Sequence, residues 1–268
     1  MTRFMLRTTA LALALSAASL AQAHNAWLLP SSTVFSKADT VTVDAAVSND
    51  LFVANHAPLR LEGLQITAPD GSMVKAENEA RLKLRNVFDV PLSAPGTYRI
   101  AVVNAGVFAS WKDKATGQAK RARGTAETIG KEIPADAQEL AITQSSGRIE
   151  TFVTVGKPSP LRLTGQGLEL VASGSPTDLV KGEKSTFTLH LDGQPAKDIE
   201  VTVTAGNTQY RDKLEEHKLK TDDKGQFSVT WPSAGMYWLD ASTRDDKVTV
   251  PQAKQRRLSY AATLEVMP

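Results

Sequence analysis

No cysteine occurs among the 268 residues, which removes disulfides, thiolate metal sites and a cysteine nucleophile. Any metal must be held by His, Asp, Glu, Met or main-chain groups, and histidine is itself scarce, with four in the chain. Net charge is almost absent too. The formal value is +2, and both surplus cations, Arg3 and Arg7, sit at the extreme N-terminus. Without them 29 basic residues face 29 acidic ones. A chain so balanced, with no run that interleaves basic and aromatic residues, offers no obvious grip for nucleic acid or for an anionic membrane surface.

The familiar catalytic signatures are missing as well. There is no Gly-x-Ser-x-Gly elbow, no His-Glu-x-x-His and no phosphate-binding Gly-x-x-x-x-Gly-Lys-Ser/Thr. Gly165-Gln166-Gly167 lacks the third glycine in register. The carboxylate pairs Glu215-Glu216, Asp222-Asp223 and Asp245-Asp246 are adjacent in turn-like stretches, where solvation explains them. The expectation is a protein that is not an enzyme.

One segment stands apart in composition. Arg3 and Arg7 precede an uncharged apolar stretch, Thr8 to Leu20, and Ala21-Gln22-Ala23 then fits the small-x-small rule for a signal peptidase. The apolar run is shorter than the ~20 residues that cross a bilayer. Residues 1–23 are therefore predicted to be a signal peptide, with export to the periplasm, His24 as the new N-terminus and no membrane insertion after cleavage.

Downstream, period-two runs separated by turn residues predict an all-β chain. Val41, Val43, Ala45 and Val47 share one face of a strand. Leu82 to Val90, the turn Ala94-Pro95-Gly96 and the run Tyr98 to Val103 read as strand, turn and strand. The polar, basic stretch after Trp111 reads as a long loop near 111–147, with a helical turn around 133–140. Arg148 to Val155 resumes as a strand, and Gly156-Lys157-Pro158-Ser159-Pro160 reads as a linker. The second half repeats the logic, with strands at Ser185 to Leu191 and Ile199 to Thr204, a tight turn at Thr221 to Gly225, and a closing hairpin from Phe227 to Leu239. Gly96-Thr97-Tyr98 and Gly235-Met236-Tyr237 occupy matching points. Two tandem immunoglobulin-like or transthyretin-like β-sandwiches follow, residues 24–157 and 158–268.

The four histidines separate by position. His190 lies out of phase with Phe187, Leu189 and Leu191, and His217 sits in a charged stretch; both read as structural surface positions. His24 differs, because cleavage before it would let its α-amine and ring nitrogen chelate one metal ion together. His56, at the end of the segment leaving the strand beside the first one, is the expected third nitrogen donor. Asp50 is expected either to add an oxygen or to orient His56. Such a nitrogen and oxygen set suits Cu(II), Ni(II) or Co(II), with copper favoured by the affinity order.

Three stretches taken together, Ala23-His24-Asn25-Ala26-Trp27-Leu28-Leu29-Pro30-Ser31, Arg148 to Thr154, and Thr221 to Phe227 followed by Gly235-Met236-Tyr237-Trp238-Leu239, resemble a bacterial domain-of-unknown-function family of exported proteins. Ser259 to Val266 also looks like that family. Its members are described as NikM-like, after a supposed periplasmic component of nickel or cobalt uptake. The resemblance implies a periplasmic location and metal handling, and a mature protein that begins at a histidine maps onto His24. Relatives with His-x-His clusters differ from this chain, where Asn25-Ala26 follows His24. The second half also looks like the carboxypeptidase-regulatory or transthyretin-like sandwiches that serve as accessory modules.

The expected function is a periplasmic accessory protein that binds a divalent transition metal and delivers it to an uptake or resistance system, through an inner-membrane metal transporter or an outer-membrane receptor. The alternative is a non-catalytic envelope interaction module with no metal.

Overall fold

A computed structural model describes residues 24–210 and 215–268, so the predicted signal peptide lies outside the described residues. The first half contributes β1 (Asn25–Pro30), β2 (Val34–Phe35), β3 (Asp39–Ser48), β4 (Ala57–Pro58), β5 (Leu64–Thr67), β6 (Met73–Val74), β7 (Glu77–Arg81) and β8 (Asn86–Leu92). Two very long strands follow, β9 (Gly96–Lys112) and β11 (Gln138–Val155), with β10 (Ala119–Gly124) and a single helical turn, α1 (Ile129–Glu132), between them. The second half holds β12 (Leu168–Ala172), β13 (Leu179–Val180), β14 (Lys184–Leu191), β15 (Gln194–Pro195), β16 (Glu200–Ala205), β17 (Glu216–Lys220), β18 (Gln226–Thr230), β19 (Gly235–Asp245) and β20 (Gln255–Met267).

These strands make an all-β assembly of three sheets. The largest runs β17-β16-β19-β20-β11-β9-β5-β6 and passes through both halves of the chain. At its centre β11 pairs antiparallel with β9 and parallel with β20. The β1-β3-β8-β7 sheet packs on one face, where Leu28, Val41, Val43, Phe88 and Val90 meet Ile66, Tyr98, Ile100 and Val153. The sheet of β12, β14, β15 and β18 packs on the other, where Leu170, Phe187, Leu189 and Trp231 meet Val203, Tyr237, Leu239 and Tyr260. The two sandwiches thus share one central sheet. β11 explains how a single strand serves both: Phe152 enters the second core while Val153 and Val155 enter the first. Burial on both faces is also why its sequence does not alternate cleanly.

The matching points near Tyr98 and Tyr237 are a repeated corner. The Tyr98 hydroxyl donates to the Ala94 carbonyl at 3.1 Å and accepts from the Ala94 N–H at 2.8 Å. Tyr237 does the same with Ser233, donating at 2.9 Å and accepting at 3.3 Å. A tyrosine tied back to the main chain at a strand entrance is a signature of immunoglobulin-like sandwiches. The glycines that open these strands, Gly96 and Gly235, have φ of +125° and +129°, a region open to glycine and strained for other residues.

Four local expectations need correction. The stretch 111–147 is not a long polar loop. β9 runs to Lys112 and β11 begins at Gln138, with β10 pairing alongside β9. The inner side of this extension, Val107, Ala109 and Trp111, is covered by Ile129 of α1 and by Val250 and Ala253 from far along the chain. The helical turn falls at 129–132, ahead of its expected place. Residues 227–239 do not form a hairpin: β18 pairs with β14, whereas β19 pairs with β16 and β20, so the chain crosses from one sheet to another. Residues 82–85 form the turn before β8, and the strand proper alternates buried Asn86, Phe88, Val90 and Leu92 with half-buried neighbours.

A buried ionic cluster lies where the halves meet. Arg99 of β9 and Arg148 of β11 are each 5% exposed, and Glu150 and Glu169 are fully buried. Glu150 Oε2 stands 3.4 Å from Arg99 Nε and 3.6 Å from Arg148 Nη1. Its other oxygen accepts from the Tyr260 hydroxyl at 2.5 Å. Burial, then the Glu150 carboxylate, push the Tyr260 phenol well up from its ordinary range. Glu169 faces both arginines and accepts from the Thr164 and Gly165 N–H groups at 2.8 Å. Two positive and two negative groups cancel, and pairing of that kind is what makes buried charge tolerable.

Candidate metal centre

The register of β1 on β3 puts Asn25 opposite Ser48, so His24 stands at the end of β3 where the chain turns away. That turn is tied to β1 by a buried indole. Trp27 Nε1 donates to Ser48 Oγ at 2.7 Å, and the Ser48 hydroxyl donates onward to the Asp50 carbonyl at 2.6 Å. Phe52 adopts φ +64° and sets its ring edge-on to Trp27, with centroids 5.8 Å apart. Positive φ is uncommon for a bulky residue, and here packing against Trp27 and the turn itself hold it.

Asn55 then closes the loop. Its Oδ1 accepts from the Asn49 N–H at 3.0 Å and its Nδ2 donates to Asp50 Oδ2 at 2.7 Å. His56 follows directly, and β4 carries the chain back beside Val47 and Ala46. The outcome is that the exposed rings of His24 and His56 stack, with centroids 3.7 Å apart and planes inclined by 22°. Neither ring makes a hydrogen bond to another described residue.

Of the two roles expected for Asp50, oxygen ligand or orienter of His56, its contacts in the loop match the second. Its carboxylate serves Asn55, and among the described residues no three His, Cys, Asp or Glu side chains gather as a metal cage would need. Asp50 therefore braces the loop that presents His56. The side-chain donors at this spot are two imidazoles, and a further nitrogen would have to come from the main chain of residue 24. His190 and His217 stand elsewhere. His190 is half-buried on β14, with Nδ1 lacking a hydrogen-bond partner, and His217 is exposed within β17.

The second half of the chain supports this place, which sequence reasoning did not anticipate. Trp238 Nε1 donates to the Ala26 carbonyl at 3.0 Å, and the Leu51 N–H donates to Thr208 Oγ1 at 2.9 Å. A Cβ on Gly206 would lie 3.0 Å from the Phe52 ring. These contacts fix β1 and the 49–56 loop against β19 and the segment following β16.

A family model for a domain of unknown function, DUF4198, matches residues 21–245, and the chain belongs to that family. No curated protein matches the sequence. Among solved structures, the D0-D1 domain of intimin is 12% identical over 90% of this chain and 97% of its own, with a TM-score of 0.23. The FN1-FN3 domains of chicken CNTN1 are 9% identical over 90% and 98%, with a TM-score of 0.24. Escherichia coli alpha-2-macroglobulin is 9% identical over 89% of this chain and 30% of its own, with a TM-score of 0.21. Among the described residues no helix is long and apolar enough to cross a membrane.

Proposed function

We propose that this protein is an exported, non-catalytic metal-binding protein of the periplasm that carries one divalent transition-metal ion at His24 and His56. The observation behind this reading is the stacked, exposed pair of imidazoles, brought together from two separate segments by a loop built around Trp27, Ser48 and Asn55. Removal of residues 1–23 would add the α-amine of His24, giving three nitrogen donors without sulfur. Such a set suits Cu(II) first and Ni(II) or Co(II) next. An exposed site with few ligands fits a carrier that must surrender its ion to an uptake or resistance system, the nickel and cobalt association of NikM-like proteins included.

The test is intact mass of exported protein under native conditions, titrated with Cu(II), Ni(II) and Co(II). The expected result is a chain beginning at His24 that takes up one ion, with affinity reduced at least about tenfold, or ~1.4 kcal/mol, in H56A or when one residue is added before His24. Unchanged affinity in both variants would overturn the site. A processed chain that binds no metal at micromolar concentration would favour the interaction module instead.

A further inference from the structure

On the extension of the central sheet, the face opposite Val107, Ala109 and Trp111 carries a different surface. Arg244 of β19 and Arg257 of β20 are directly opposed in register, both exposed. Like charges so placed repel each other and destabilise the pair. Across the same face, β10 presents Arg121 opposite Ser110 and Arg123 opposite Phe108. The Arg123 guanidinium lies 5.1 Å from the centroid of the Phe108 ring, which is 42% exposed. None of these four arginines makes an ion pair or hydrogen bond with another described residue, in contrast to Arg99, Arg148 and Arg256. The nearby carboxylate, Asp240, is largely buried and interacts with Arg257.

Between β10 and the Arg244–Arg257 pair lies a cavity of about 470 Å³, reached by Arg121, Arg244 and Arg257 and floored by Ser110, Thr143 and Ser145, with Arg123 at its margin over Phe108. That volume falls within the roughly 300–1,000 Å³ typical of small-ligand sites. β20 and β10 are separated by β11 and β9, so their backbones stand three strand spacings apart, about 14 Å at ~4.8 Å each. A single small ion would meet one pair only. A ligand with anionic groups at both ends would engage both.

We infer that this face binds a compact ligand carrying two or more phosphate groups. All four cations are arginines, whose planar forks match phosphate oxygens bidentately. The floor offers hydroxyls that can donate to the same oxygens. The site is separate from the histidine pair and does not depend on metal binding.

The probe is inorganic tripolyphosphate, titrated by calorimetry into metal-free protein at low and at physiological salt. The expected result is saturable one-to-one binding that weakens with salt and falls at least about tenfold in R244A/R257A and in R121A/R123A, as the loss of charge-assisted hydrogen bonds requires. Orthophosphate is expected to bind at least about tenfold more weakly. The replaced side chains are exposed, and thermal melts check that the variants stay folded. Absence of saturable tripolyphosphate binding, or binding by either double variant as tight as the parent's, would overturn the inference. So would arginine-dependent binding to anionic phospholipid vesicles without any to tripolyphosphate, which would assign the face to a membrane surface.

Discussion

Replacing Asp240 with asparagine should make the protein more stable at neutral pH. Asp240 lies on β19 between Thr202 of β16 and Ala261 of β20. Burial pushes its carboxyl up to about 6 from 3.8, against the opposing pull of Arg257. In the unfolded chain the group ionises at its ordinary value, so between those two pKa values the folded state binds more protons and stability falls as pH rises. The shift of about 2 units corresponds to about 3 kcal/mol, at 1.36 kcal/mol per unit. D240N has no charge to desolvate. At pH 7.5 it should gain up to about 3 kcal/mol over the parent, less whatever attraction to Arg257 it gives up. The advantage should shrink below pH 6 and vanish near pH 4. Urea unfolding of both proteins from pH 4 to pH 7.5 measures this directly, and at about 2–4 °C per kcal/mol a melting curve should also resolve it. A variant less stable at pH 7.5, or an offset that stays constant with pH, would show that burial of this carboxylate does not govern its ionisation.

Three further outcomes follow from the same structure. E150Q should cost about 3–5 kcal/mol, because Arg99 and Arg148 would stay buried with Glu169 as their remaining counter-charge; a loss below about 1 kcal/mol in urea unfolding would mean that water reaches the cluster. G235A should cost about 1–3 kcal/mol from its φ alone, since a Cβ there meets nothing within 4 Å. G96A should cost more, because its Cβ would also come within 2.5 Å of Pro69, and equal melting temperatures for the two variants would contradict that ranking.

Much of the β framework can be read from local pattern, and the places where reading fails share one cause. Strand β3 and the paired Tyr98 and Tyr237 corners carry their signals within a few residues. The 111–147 segment does not. Its inner side is built from Ala109 and Trp111 and is covered by Val250 and Ala253, so the local run looks polar although the strand is real. The ionic cluster is hidden for a related reason. Arg99, Arg148, Glu150 and Glu169 look like surface residues of ordinary strands until the fold gathers them from three elements. The crossing from β18 to β19 has no local signal, since Pro232 and Gly235 mark a turn without saying whether the next strand returns to the same sheet.

The histidine pair shows where local reasoning reaches its limit at a site. That His24 and His56 belong to neighbouring segments follows from adjacent first strands and a short excursion between them. What steadies those segments comes from elsewhere, through bonds that span 157 residues between Leu51 and Thr208 and 212 between Ala26 and Trp238. The histidine segments are thereby tied to the shared central sheet through β19. Loss of the Trp238 indole should therefore loosen the end of β1 without removing a donor. If the site works as proposed, W238F would weaken metal binding while leaving both imidazoles and the terminal amine in the chain, separating the contribution of position from that of chemistry. Unchanged metal affinity in W238F would show that the loop around Trp27 and Asn55 holds the pair unaided.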